Sequence, residues 1–354
     1  MVSIDAPASL RPIAERVERR LELFLAPELD RWAAFEADLR EPMTEIRRLV
    51  LSGGKRLRPA FCHWGFVGCG GDPDDPLVID AGAAFELMHA FALFHDDVMD
   101  DAESRRGERT THRMFAGRHG DAGWAGEARR FGDGMAILIG DLAFVYSDQL
   151  MAGANATAWR VWNELRIELN VGQVLDMLGS VQGVRDLAHA ERICRYKSGK
   201  YTIERPLHLG AALAAPDRFD AIAPCLSAYG LPLGDAFQMR DDVMGAFGDE
   251  RTTGKPVGGD LREGKPTPLL ARALAVATPS QRDVLATVGE PELSDAGVTA
   301  IQAVLVETGA LAGLEATIAA LTAQAIAAVR GIDLGAEAID ELIALAEFVS
   351  QREA

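Results

Sequence analysis

The chain has 354 residues, 48% of them hydrophobic, enough for one large core or two ordinary ones, with a formal net charge of -17 and a pI near 4.9. That balance argues against a nucleic-acid binder, which needs a basic stripe to displace counterions from phosphates, and it suits an anionic membrane surface poorly. The opening "MVSIDAPASLRPIAERVERRLELF" lacks a basic start followed by an uninterrupted apolar run, so neither a secretory signal nor a transit peptide is expected. No later stretch reaches transmembrane length free of charge or glycine. Cys62, Cys69, Cys194 and Cys225 lack metal-binding spacing and read as buried thiols in a reducing compartment, so a soluble, cytoplasmic protein is expected.

The predicted elements are helical along the whole chain. Apolar residues recur every three or four positions in "LVIDAGAAFELMHAFALFH", then in "MAILIGDLAFVYSDQL", and finally in "LEATIAALTAQAIAAV", while no clear run alternates with period two. Breakers separate them at "CGGDPDDP", "AGRHGDAGWAG", "AAPDRFD", "TTGKPVGGDLREGKP" and "VGEPELSD", with Asp or Ser placed to cap the next helix. Short connections predict antiparallel neighbours. No low-complexity linker or fixed-period repeat divides the chain, so residues 1–354 read as one all-α domain.

Two apolar helices end in similar acidic peptides, "HDDVMD" and "MRDDVMG", and a single bundle would bring them face to face across a central cavity. In a helix, Asp96 and Asp100 stand at i,i+4 and Asp97 and Asp100 at i,i+3, so the three carboxylates point to one region. Each like-charged pair costs roughly a few tenths of a kcal/mol, and the negative pole of the helix dipole adds to the repulsion. Cations are needed to offset it. Carboxylates without His or Cys partners favour Mg2+, which keeps waters and accepts substrate phosphates, so a phosphorylated substrate is implied. Taken alone, such a cluster more often faces water.

Only five of the 36 basic residues are lysine: Lys55, Lys197, Lys200, Lys255 and Lys265, all in glycine-flanked or motif-like peptides. Gly lets the backbone approach a ligand and Lys offers a compact charge to phosphate. Of these, Lys55, Lys197, Lys255 and Lys265, with Arg58, Arg105 and Arg106, suggest two phosphate-bearing groups. No GxxxxGK[ST] or GxGxxG pattern is present, so neither a P-loop nor a Rossmann site is expected.

From about Gly53 to Leu270 the sequence resembles the trans-isoprenyl diphosphate synthases, with "GGKRLRP", "ELMHAFALFHDDVMD" followed by "RRG", "GQVLDM", "YKSGKYT", "AFQMRDDVMGAFGD" and "GKPVGGDLREGKPT" in family order. The resemblance implies an isoprenoid-synthase-type helical bundle around an apolar cavity. It also implies condensation of isopentenyl diphosphate with allylic diphosphates, three Mg2+ ions per site and a homodimer. It assigns Asp96, Asp97, Asp100, Asp241 and Asp242 to the metal, helped on the allylic diphosphate by Arg105, Lys197, Lys255 and Lys265. Lys55, Arg58, His89 and Arg106 fall at positions for isopentenyl diphosphate. Ser198 and Gln238 line the reacting carbons, while Gln173 and Asp176 lie in the helix between the motifs. His95 reads as a hydrogen-bonded histidine on a packed helix, and Asp101 and Glu103 as solvated.

Two departures stand out. Gly245 occupies the place of a third aspartate in the second motif, with Asp249 and Asp260 available for outer charge but not assignable by spacing. The segment Ala116 to Gly132 is longer than the family's usual connection. Phe91 and Ala92 precede Asp96 by about 7 and 6 Å along the helix. By analogy, a large residue then a small one suggests arrest at geranylgeranyl diphosphate, with farnesyl diphosphate next. Alternatives are a class I terpene cyclase, against which the "GGKRLRP" and "RRG" cations weigh, and a regulatory subunit of a heteromeric synthase. A ferritin-like bundle would need two Glu-x-x-His pairs, and Glu86 with His89 supplies one near the core helices.

Overall fold

The computed structural model describes residues 6–105, 107–182, 186–248, 257–290 and 292–351. Arg106, Asp249 and Lys255 lie outside the described residues. The chain runs through α1 (Leu10–Phe35), α2 (Arg40–Leu51), α3 (Leu57–Gly68) and α4 (Pro76–Met99). A short hairpin follows, β1 (Ser104–Arg105) paired antiparallel with β2 (Glu108–Arg109). Next come α5 (Thr111–Asp121), α6 (Ala128–Leu150), α7 (Ala156–Gln182), α8 (Leu187–Ile193), a π-helical stretch Cys194–Glu204, α9 (Arg205–Ala214) and α10 (Phe219–Phe247). The last part holds α11 (Gly259–Glu263), α12 (Pro268–Val276), α13 (Pro279–Leu285), α14 (Asp295–Glu307), α15 (Ala310–Val329) and α16 (Ala336–Gln351).

Local chemistry explains the main boundaries. Asp75 accepts a hydrogen bond from Leu77 N at 2.8 Å, and Pro76 occupies the first turn, where its missing N–H costs nothing, so α4 starts there. Ser294 caps α14 in the same way through Gly297 N. The breaker reading of "AGRHGDAGWAG" holds only in its second half, because α5 continues through Asp121. The side chains of Trp124, His119 and Phe131 then pack together across the turn, which makes this longer connection a small aromatic cap.

The larger core gathers α1 to α4, α6, α7, α9, α10 and α16, with Phe61, Phe85, Leu87, Met88, Trp162 and Tyr229 fully buried. Burying each such Leu or Phe contributes roughly 1.5–3 kcal/mol before entropy is counted. A smaller core joins α10 to α11–α15 through Met239, Val243, Leu261, Leu270 and Ile301. Helix α10 serves both, presenting Leu233 and Phe237 to one and Ala236 and Met239 to the other. It thereby fixes the second aspartate motif relative to the first.

Helices α4 and α15 are each long and apolar enough to cross a membrane, but both carry charge and glycine (Asp80, Gly82 and Glu86 in α4, Gly313 and Glu315 in α15), and 61% of the α4 window is buried in the protein. One expectation needs revising. Cys62 and Cys194 are buried thiols as expected, whereas Cys225 is exposed and Cys69 half-buried, and all four are free.

Candidate active site

The carboxyl halves of α4 and α10 bring both acidic motifs to one cavity of about 820 Å³. Asp96 Oδ1 accepts from Lys197 Nζ at 3.1 Å and from Gln173 Nε2 at 3.1 Å, and its Oδ2 lies 3.4 Å from Arg105 Nη2. Asp97, nearly buried, accepts from Arg105 Nε at 2.8 Å. Lys197 Nζ also donates to Asp176 Oδ2 at 2.6 Å. Across the cavity Asp242 accepts from Gln238 Nε2 at 3.0 Å, while Asp241, Asp260 and Lys265 line the same wall.

Lys197 reaches this position because of the π-helical stretch. A Cβ on Gly172 of α7 would lie 2.4 Å from Lys197 N, and one on Gly199 would lie 2.9 Å from Gly234 C of α10. The widened turn therefore fits between α7 and α10 only because these contacts carry no side chains. In a regular α-helix Lys197 and Lys200 would share a face at i,i+3. Here Lys197 and Ser198 line the cavity, whereas Lys200 turns to Glu168, with Glu204 Oε2 at 3.7 Å. Lys200 thus joins Arg205 in a structural ion-pair cluster on Glu168.

Electrostatics match a site built for added cations. Burial would raise Asp96, but Lys197, Arg105 and Lys265 outweigh it and hold its pKa below the ordinary value. Burial prevails at Asp97 and at Asp242, and both are raised. Asp100, the C-cap of α4, is pushed up to about 6, first by its desolvating surroundings and then by the charge of Asp96. Burial alone would lower Lys265, yet Asp260, Glu263 and Asp100 more than offset it. Among the described residues no three His, Cys, Asp or Glu side chains converge into a ready-made cage. All-carboxylate donors on two facing walls fit a hard divalent ion that keeps waters and completes its shell with phosphate oxygens.

A second cationic group lies along the same cavity at the loop between α2 and α3, where Gly53 and Gly54 adopt positive φ. Lys55, Arg58 and His89 line it. The Arg58 guanidinium stacks 4.3 Å from the Tyr201 ring and donates to Thr202 Oγ1 at 3.1 Å, while its Nε is buried without a hydrogen-bond partner among the described residues. That donor suits an anion. The neighbouring Arg56 is different: it is buried and spent on Glu86, Glu18 and the Val50 carbonyl.

Other predicted positions fall elsewhere. Phe91 and Ala92 are not among the residues lining the cavity, which instead meets Ala90 and Leu93. The Phe91 ring packs 4.8 Å from Phe144 of α6 and 4.7 Å from His95. His95 Nε2 donates to the Ile137 carbonyl at 3.1 Å, as the packed-histidine reading expects. Asp101 and Glu103 are not simply solvated, since Arg113 pairs with both at 2.9 Å and Arg129 with Asp101 at 3.3 Å. These pairs tether the hairpin beside the site. Arg106 and Lys255, expected on the two diphosphates, lie outside the described residues. The contact of Asp176 with Lys197 went unassigned in the sequence, where its only signal was the i,i+3 spacing from Gln173.

Residues 40–305 match the profile of the Polyprenyl synthetase family. The chain is 33% identical to the geranylfarnesyl diphosphate synthase of Aeropyrum pernix over 74% of its own length and 79% of the relative's. It is 32% identical to the geranylgeranyl diphosphate synthase of Saccharolobus solfataricus, over 69% and 70% of the two chains. The solved geranylgeranyl pyrophosphate synthase of Corynebacterium glutamicum, complexed with isoprenyl diphosphate and magnesium, superposes with a TM-score of 0.89 at 35% identity, covering 96% of this chain and 99% of that one. With two facing aspartate motifs, the lysines between them and a separate cationic wall all in place, the chain belongs to the polyprenyl synthetase family.

Proposed function

We propose that this chain is a Mg2+-dependent prenyltransferase that joins isopentenyl diphosphate to an allylic diphosphate and releases geranylgeranyl diphosphate, with farnesyl diphosphate the next candidate. The observation that carries it is the presence of two anion sites on one cavity: the aspartates with Lys197 and Lys265, and the Lys55, Arg58 and His89 wall. A class I cyclase has one diphosphate to hold and no use for the second. A regulatory subunit has no need of aspartate pairs with their supporting donors intact.

Asp96, Asp97, Asp100, Asp241 and Asp242 would hold the metal, three ions by family resemblance. Magnesium, when bound, supplies positive charge that stabilises diphosphate as the allylic C–O bond breaks. Lys197, Lys265 and Arg105 neutralise oxygens that the ions leave uncovered. Arg58 and Lys55 hold the other diphosphate so that its double bond faces the allylic carbon, which removes most of the orientational cost of the encounter. Leu93, Phe237, Ser198 and Gln238 line the space between and keep out water that would otherwise capture the cation. The hydrogen bond from Gln238 to Asp242 holds its amide on the cavity wall, where the family resemblance puts a group beside the reacting carbons. Consumption of isopentenyl diphosphate by the purified chain tests this reading, since a cyclase would consume the allylic substrate alone.

Product length is argued from α4. The relatives above carry names for products of different length, so similarity alone does not choose among them. Phe91 fills the contact between α4 and α6. Phe91→Ala opens room there and is expected to shift the products of a chain-length assay towards longer chains. An unchanged distribution would place the stop elsewhere.

A homodimer fits the exposed apolar faces. Ile167, Val171, Val174, Leu178 and Val181 follow one another along α7 at steps of four and three, and Val181 is 82% exposed. Leu138, Leu142 and Val145 form a similar row on α6. Such spacing is a seam for another helix pair, and a second copy of the chain offers the same stripe. Val174→Lys is expected to convert a dimer to monomer in a solution mass measurement. A monomeric parent chain contradicts the assignment.

A further inference from the structure

Lys197 and Lys200 both belong to the π-helical stretch, yet only Lys197 reaches the cavity. An i→i+5 turn is far rarer than an α turn and needs something to hold it open. Gly172, Gly199 and Gly234 clear the space for it but exert no pull. We propose that Glu168 of α7 supplies the pull, as a positioning residue that locks the π register and so aims Lys197 at the diphosphate. This rests on the prenyltransferase reading above.

Glu168 is gripped by the two residues that close the wide turn. Arg205 N donates to the Lys200 carbonyl, which is the i→i+5 bond itself. The same two residues send their side chains to one carboxylate. Arg205 donates from Nε to Glu168 Oε2 at 2.6 Å and from Nη2 to Oε1 at 2.7 Å, and Lys200 Nζ also donates to Oε1. In an α-helix, positions five apart point about 140° from each other, which turns two such side chains away from a shared partner. The i→i+5 turn returns them to nearly one face. Burial would raise the pKa of Glu168, but the hydrogen bonds from Arg205 and Lys200 outweigh it and keep the carboxylate charged. Arg205 Nη1 donates further to His208 Nδ1 at 3.2 Å, and His208 Nε2 donates to the Ala223 carbonyl at 3.1 Å, which anchors the clamp on α10.

The same face of α7 meets the π stretch at three points. Glu168, Gly172 and Asp176 stand at i, i+4 and i+8, one stripe of the helix. Glu168 holds Lys200 and Arg205, Gly172 lies against Lys197 N, and Asp176 accepts from Lys197 Nζ at 2.6 Å. Relaxing the wide turn to an α turn removes one residue from it and rotates the preceding segment by about 100°. That rotation would carry Lys197 away from Asp96.

The test measures steady-state turnover of the parent chain, Glu168→Gln, Lys197→Met and the double variant, with a melting temperature for each. Glu168→Gln should lower kcat about 10²-fold, the loss a small misplacement from a remote substitution can cause. In the Lys197→Met background the same substitution should lower kcat by less than about tenfold more, because Glu168 acts through Lys197. If Glu168→Gln does not fold, Lys200→Met, which leaves Arg205 on Glu168, enters the same cycle with the same non-additivity expected. Turnover of the folded variant within a few-fold of the parent overturns the proposal. Losses that multiply in the double variant, the mark of a merely structural role, also overturn it. A crystal structure of the folded variant reads the register directly: Arg205 N should no longer donate to the Lys200 carbonyl, and Lys197 Nζ should have left Asp96. Both contacts unchanged overturn the proposal whatever the kinetics. A parent that consumes no isopentenyl diphosphate ends the prenyltransferase reading, and the crystal structure then still decides the register, which separates the two failures.

Discussion

Asp96→Asn is expected to lower kcat by about 10²–10³-fold, the loss typical of removing one preorganised charge contact to a departing anion. Asp96 is the meeting point of the first wall, with Lys197, Gln173 and Arg105 all directed at it. Lys197, Arg105 and Lys265 also hold its carboxylate ionised against the pull of burial. Asparagine keeps the shape and removes the charge. Lys197 retains Asp176 and Arg105 retains Asp97, so the bundle should stay folded and the loss should appear in turnover instead of in the melting temperature. Steady-state kinetics beside a thermal melt checks both halves. Turnover within tenfold of the parent would remove Asp96 from the metal-holding set.

Arg58→Met should raise KM for isopentenyl diphosphate by about 10–100-fold, given the roughly 1.5–3 kcal/mol carried by a hydrogen bond to a charged group. The KM for the allylic substrate should hardly move. The long side chain keeps its packing against Tyr201 while losing the buried Nε donor. Separate titrations of the two substrates decide the matter. An equal rise for both, or a rise confined to the allylic partner, would show that the two anion sites have been assigned to the wrong walls.

Most of the catalytic outline was legible because its chemistry conflicts with local physics. Clustered aspartates at a helix carboxyl end are costly without cations, and that conflict can be read without coordinates. Lysines in an arginine-rich chain pointed the same way, with Lys197 and Lys265 on the cavity and Lys200 the exception. What separates Lys197 from Lys200 is a π-helical turn, set by Gly172, Gly199 and Gly234 on elements far apart in sequence. No periodicity of "YKSGKYT" reveals it. The space shared by Gly245 and Asp260 is hidden for a related reason: the two stand fifteen positions apart in the chain. Phe91 shows the reverse limit. A family position gave it a role in product length, and only the fold shows its ring packed against Phe144 and His95.

The most direct test of the central claim is a single reaction series. The purified chain is incubated with Mg2+, labelled isopentenyl diphosphate and, in turn, dimethylallyl, geranyl and farnesyl diphosphate, and the products are resolved by chain length. The two-anion-site reading predicts that label enters a longer prenyl diphosphate only when both substrates and the metal are present, with geranylgeranyl diphosphate accumulating. No incorporation with any allylic partner, or turnover of the allylic diphosphate without isopentenyl diphosphate, would contradict it.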